Sequence, residues 1–193
     1  AAPAVGTVPA DDAAVEAGPV EFPGQDITIR AYQARPTGDG PFPGVLICHE
    51  NRGLTPHFEE LPRRFAKAGY VALAVDVLSG QGGTNKVADQ AQIPSLLSSM
   101  PPEQIVQAFR DGLAYLQQQA YVARSRIGMT GFCFGGGVTW RCATQIPELK
   151  AAVPFYGPNP PLEDVPKIQA AVLAIYGEAD TRITSGAGAI EEA

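Results

Sequence analysis

From residue 45 onward the chain alternates two kinds of segment. Short, continuous apolar runs at residues 45–48, 70–75, 126–130, 150–155 and 171–176 are separated by amphipathic stretches at about 57–68, 102–119 and 134–145. Unbroken apolar runs belong to strands buried on both faces, and the stretches between them are long enough to be the covering helices. The pattern therefore predicts an α/β protein with a mainly parallel sheet and helices on both faces. Pro62 lies inside the first helical stretch and predicts a kink or a late start there.

Upstream, residues 20–22 and the alternation of Ile27, Ile29 and Ala31 predict an N-terminal antiparallel pair of strands, followed by a loop over 36–43. Residues 1–19 are mostly Ala, Pro, Val, Gly and Asp without periodicity, and read as a flexible arm ahead of a single domain at 20–193. Residues 79–101, rich in Gly, Ser and Pro, form the one long connection. Such connections often shape a binding site, and this one reads equally as a passive surface loop.

Composition narrows the classes. With 193 residues, 45% of them hydrophobic, the chain can bury one sizeable core but hardly two. The net charge is −6 and no run of like charges exceeds two residues, as at Asp11 and Asp12. Nothing here neutralises a phosphate backbone, which argues against a nucleic-acid partner. The apolar runs fall far short of the roughly 18 residues a membrane span needs, so a soluble protein is expected. The chain begins at Ala1. Cytoplasmic residence and export with the signal removed both stay open, as does the oligomeric state. Three cysteines leave at least one thiol unpaired.

One of those thiols stands in a motif. Gly131-Phe132-Cys133-Phe134-Gly135-Gly136-Gly137 follows a predicted strand and opens a predicted helix, which is the nucleophile-elbow pattern with Cys in the serine position. Small residues flank the nucleophile because the turn is tight and larger side chains would strike the neighbouring elements. The backbone NH of Phe134, at the helix N-terminus, is then free to stabilise an oxyanion.

A second motif, Cys48-His49-Glu50-Asn51-Arg52-Gly53-Leu54, ends the first long parallel strand and should face the same crevice. The NH of Asn51 is the second candidate oxyanion donor. A third, Tyr176-Gly177-Glu178-Ala179-Asp180, follows the last apolar run and offers Asp180, with Glu178 as rival, as an acid that orients a histidine. Cys48 and Cys142 read as packing residues. His49, Glu50 and His57 lack the i, i+4 helical spacing of a zinc site, so no metal or organic cofactor is implied.

Taken together these motifs resemble the dienelactone hydrolase family of the α/β-hydrolase superfamily, over residues 20 to the end. The resemblance implies an ester or lactone hydrolase acting on a small molecule. Cys133 would be its nucleophile, Asp180 its triad acid, and Glu50 a carboxylate that contacts the resting thiol and takes its proton when substrate arrives. Two departures stand out. Family members that take the dienelactone carry an Arg where this chain has Gly80, which puts that substrate in doubt.

The second departure is the triad histidine. His49 and His57 both precede the elbow, and both belong to the family pattern, so neither reads as its substitute. His57, after Pro56 at a helix start, reads as structural or capping. The fold calls for a further helix and strand before the histidine loop, roughly 20 to 30 residues, and residues 181–193 do not supply them. The expectation is a chain truncated at its C-terminus, with the last helix and strand missing and the catalytic histidine beyond residue 193. Two other readings compete: a non-catalytic relative that binds small carbonyl compounds, and a redox-responsive protein with Cys133 as sensor. Ester turnover and peroxide titration of the thiols separate the three.

Overall fold

Alternation along one strand sets the layers. In β3 (Phe42–Cys48), Leu46 and Cys48 join one apolar cluster, whereas Ile47 joins another on the opposite side. The first cluster includes Phe109, Leu113 and Leu116 of α3 (Pro102–Gln118) and Val138 and Cys142 of α4 (Phe134–Gln145). The second includes Phe58, with Leu61 and Phe65, of α1 (Pro56–Lys67). Side chains of period two thus build a three-layer molecule, with α1 on one face and α3 and α4 on the other.

The computed structural model describes residues 6–193. Its seven strands lie in the order β1-β2-β4-β3-β5-β6-β7. β1 (Val15–Pro23) and β2 (Thr28–Pro36) pair antiparallel, and β2 pairs antiparallel with β4 (Val71–Val75). The remainder, with β5 (Val122–Phe132), β6 (Ala151–Phe155) and β7 (Ala171–Val172), is parallel. All five residues of β4 are fully buried, and burying each valine or leucine contributes about 1.5–3 kcal/mol. Among the described residues, no helix is long and apolar enough to cross a membrane.

Four sequence expectations need adjustment. The first strand starts at Val15, inside the stretch expected to be a flexible arm, because Val15 is buried and residues 15–23 pair along the whole of β2. Farther upstream Val8 is buried too, its NH donating to Glu60 at 2.9 Å and its carbonyl accepting from Arg63 at 2.6 Å. The first five residues of that arm lie outside those described. Helix α1 runs through Pro62 without a late start, opening at Pro56, where a proline's missing NH costs nothing.

Residues 79–101 are folded rather than extended as one loop. Short 3-10 turns at Ser79–Gln81, Thr84–Lys86 and Gln90–Gln92 lead into α2 (Ile93–Ser99), whose Ile93 and Leu97, four apart, enter the core. The last apolar run, expected to be strand over 171–176, is regular only at Ala171 and Val172. It keeps its register with β6 as far as the bridge between Phe155 and Ile175. Pro154 of β6 explains the gap, since it has no NH to give the ladder.

Candidate active site

Register places the candidate residues in one row. Val75, Cys48, Gly131 and Pro154 are lateral neighbours across β4, β3, β5 and β6. Two residues further along the chain from each, past the strand ends, stand Val77, Glu50, Cys133 and Tyr156. The row crosses the point where β3 is followed by β4 on one side and by β5 on the other, the crevice where open α/β sheets bind ligands.

Cys133 holds a backbone that L-residues rarely adopt, at φ 55° and ψ −114°. Its NH donates to the Phe155 carbonyl at 3.0 Å and its carbonyl accepts from Gly136 and Gly137 at 3.0 and 3.2 Å, so strand and helix both clamp the turn. Such a conformation costs of order 1–3 kcal/mol and persists only where its surroundings impose it. The flanking glycines are obligatory. A Cβ on Gly131 would lie 2.2 Å from the Gly135 carbonyl oxygen, and one on Gly135 would lie 2.4 Å from the Cys48 carbonyl oxygen. The second contact seats the first turn of α4 directly against the start of the loop carrying Glu50 and Asn51. Among the described residues, the NH groups of Phe134 and Asn51 have no protein acceptor.

Glu50 is half-buried and accepts a hydrogen bond from the Tyr156 hydroxyl at 3.1 Å. Tyr156, like Cys133, has a positive φ, at 38°. Burial first, then the hydrogen bond and charge of Glu50, push its phenol up to about 12; the nearby Cys133 adds to the shift. Tyr156 thus stays a donor and holds the Glu50 carboxylate. Sequence reasoning missed it, although its place just past an apolar strand next to the elbow was the available signal.

The histidines are accounted for by structure. His49 is fully buried; its Nε2 accepts from the Val77 NH at 3.1 Å and its Nδ1 faces the Glu50 carbonyl at 2.7 Å. Because a backbone NH can only donate, Nε2 carries no proton and the ring donates through Nδ1. Burial pulls its pKa below the ordinary 6.5, against the Glu50 carbonyl and the charge of Asp76. His57 is exposed, with an edge contact to Phe58, and Thr55 rather than His57 occupies the cap position of α1. Cys48 and Cys142 are buried, and burial raises both thiols far above their ordinary range, leaving Cys133 as the accessible one.

The family model described as "Dienelactone hydrolase family" matches residues 29–193. The chain belongs to the dienelactone hydrolase family. It is 35% identical over 188 residues to a Methylorubrum extorquens protein named "Putative carboxymethylenebutenolidase", an alignment covering 92% of this chain and 65% of that one. The chain therefore spans a little under two thirds of that relative. A crystal structure titled as a putative dienelactone hydrolase from Klebsiella pneumoniae superimposes with a TM-score of 0.83 at 31% identity, covering 93% of this chain and 80% of that one. A dienelactone hydrolase-like promiscuous phosphotriesterase from metagenomic libraries gives 0.80 at 26%, covering 93% and 77%.

Against the family pattern, Gly80 is exposed, and a Cβ built there would find only the Gln104 amide, 3.9 Å away. Asp180 leaves the same carboxyl edge as Cys133, at the N-terminus of α5 (Thr181–Thr184). Its carboxylate faces Arg182 at 3.8 Å, and no direct contact joins it to Cys133 or Glu50 among the described residues. Glu178, its rival, is exposed. A hollow of about 280 Å³ lies along α4, lined by Leu97, Met100, Phe134, Val138, Arg141 and Pro158; it begins one residue past Cys133 and does not include the thiol's own residue.

Proposed function

We propose that the chain carries the acylating half of a thiol hydrolase for small esters or lactones. The observation that carries this reading is the left-handed backbone of Cys133 at the N-terminus of α4, a strained turn whose consequence is an accessible thiol beside unpartnered NH groups. Membership of the dienelactone hydrolase family supports it. Sγ of Cys133 attacks the substrate carbonyl carbon while its proton passes to Glu50, and the carbonyl electron pair moves onto oxygen. The NH groups of Phe134 and Asn51 receive that charge, and removing one such donor typically costs about 10²–10³-fold in rate. Collapse of the tetrahedral species breaks the ester C–O bond. The departing oxygen takes the proton back from Glu50, leaving a thioester on Cys133.

Hydrolysis of the thioester needs a base for water. Asp180 is the acid we assign to orient an imidazole, but His49 is committed to Val77 and Glu50, and His57 is exposed on α1. With Gly80 in place of a cation, substrates lacking a carboxylate are favoured.

The test is rapid mixing with a panel of aryl esters and lactones, followed by mass mapping of the acyl group. One equivalent of alcohol released in a burst, with the acyl group on Cys133, is expected. An adduct on Cys48 or Cys142, or no adduct at all, would remove the assignment.

A further inference from the structure

The loop that offers the Asn51 NH is tied at two points to the chain leaving β4. Glu50 and Asn51 share a trans peptide unit, since the only cis bond among the described residues is Gly40–Pro41. In a planar trans peptide the carbonyl and the NH point in opposite directions, so whatever holds the Glu50 carbonyl also aims the Asn51 NH. That carbonyl accepts from His49 Nδ1 at 2.7 Å and from the Gly53 NH at 3.2 Å. The far side of the His49 ring is fixed in turn by the Val77 NH at 3.1 Å.

The second tie is Thr84. Its hydroxyl has one proton and gives it to Asp76 Oδ1 at 2.8 Å, which leaves a lone pair for the Leu54 NH at 2.9 Å. Asp76 is itself buried and held by the Leu78 NH at 3.0 Å and the Thr84 NH at 2.6 Å. Gly53, left-handed at φ 78°, passes so close that a Cβ there would sit 2.3 Å from the Thr84 hydroxyl oxygen. The loop is therefore gripped on both sides of Asn51 by buried side chains.

We propose that His49 and Thr84 are positioning residues that aim the Asn51 NH into the oxyanion hole, fastening its loop to the Val77–Thr84 segment. The inference rests on the reading of Cys133 as an acylated nucleophile. It predicts an effect confined to reactions that create an oxyanion. Acylation by an aryl acetate builds negative charge on the carbonyl oxygen, whereas alkylation by iodoacetamide displaces iodide at carbon and builds no such charge. The ratio of the two rates at Cys133 reports the hole itself.

Both rates are to be measured by mass spectrometry on the 193-residue chain and on Thr84→Val, Thr84→Ser, His49→Leu and His49→Gln. Thr84→Val and His49→Leu should lower acylation about 10- to 100-fold and leave alkylation within about two-fold. Thr84→Ser keeps the hydroxyl, and His49→Gln keeps one donor and one acceptor, so both should recover most of the loss. Equal acylation in all five proteins, or a parallel fall in both reactions, overturns the positioning role while leaving Cys133 as nucleophile. Absence of acyl-Cys133 in the unaltered chain overturns the underlying reading, and this inference with it. Should Thr84→Val not fold, Thr84→Ala carries the same test.

Discussion

The centre of the sheet and its β7 edge treat similar residues in opposite ways. Leu73, in the middle of β4, is fully buried, while Leu173, just past β7, is 61% exposed. Both belong to apolar runs of a parallel sheet, yet only the first is covered on both faces. The candidate site divides along the same line. Cys133, Glu50, Phe134 and Asn51 rise from the packed centre and are fixed by strand register, clamped backbone and buried polar ties, whereas Asp180 stands at the exposed edge, its carboxylate facing Arg182 alone among the described residues. Packing on both faces is what turns a strand end into a chemically defined position. A residue beyond a half-covered strand shares the right edge of the sheet without being tied to its partners.

The sharpest way to break this comparison is to delete one carboxylate or thiol from each half. Cys133→Ala should abolish the acyl burst entirely. Asp180→Ala should leave burst rate and amplitude within about two-fold, because in the role proposed for it the acid would act through an imidazole that neither His49 nor His57 provides. For the same reason the 193-residue chain should show a burst without steady turnover. Steady turnover that disappears on changing His49 or His57 would make that histidine the base and undo the division.

Within the central half, Glu50→Gln should slow acylation by roughly 10² or more, the usual contribution of a positioned proton acceptor. Stability should hardly change, since Glu50 is only half-buried and its one side-chain partner among the described residues is Tyr156. Tyr156→Phe should have a smaller effect, releasing Glu50 without removing it. An acylation rate for Glu50→Gln that matches the parent chain at every pH would reduce Glu50 to a loop residue.

The packing contrast is itself measurable. Leu73→Ala opens a cavity in the fully buried centre and should cost about 2–5 kcal/mol, whereas Leu173→Ala should stay within about 0.5 kcal/mol. Comparable losses in urea titrations would mean that the edge is covered in solution and would erase the contrast.

Most of the centre was legible in the residues. Apolar runs located β3 to β6, the amphipathic stretches between them located helices α1, α3 and α4, and the Gly-Phe-Cys-Phe-Gly turn located the elbow, because period, length and small-residue spacing are local properties. What the sequence concealed was tertiary. Val15 to Pro19 look irregular until Val15 meets the core and β2 supplies hydrogen bonds. Pro154 interrupts the pairing of its neighbour rather than of its own strand, so residues 171–176 read as one strand and form a shorter one. Tyr156 and Thr84 bear no motif; their roles depend on Glu50 and Leu54, 106 and 30 residues away in the chain.

The smallest expected effect is a pH dependence of stability that originates in His49. The Val77 NH requires an unprotonated Nε2, and burial holds the ring's pKa below 6.5, so the folded chain keeps this imidazole neutral where the unfolded chain protonates it. Folding then releases a proton, and stability must fall as pH falls. The contribution is fully present above about pH 6.5 and is lost progressively below it, by at most about 1.4 kcal/mol per pH unit, until the folded ring itself takes the proton. Other groups act lower. Glu60, where burial is outweighed by the Arg64 and Val8 hydrogen bonds together with the charges of Arg64 and Arg63, and Asp12, held down by Lys67, lose their contributions only as pH falls below their ordinary values of 4.5 and 3.8. His49→Gln preserves one donor and one acceptor without titrating. Urea midpoints measured between pH 5 and 8 should therefore flatten in the variant above pH 5, while its loss of stability in stronger acid persists. If parent and variant keep the same slope between pH 6.5 and 5, the ring is not held neutral by Val77, and the tie that aims the Asn51 NH loses its chemical basis.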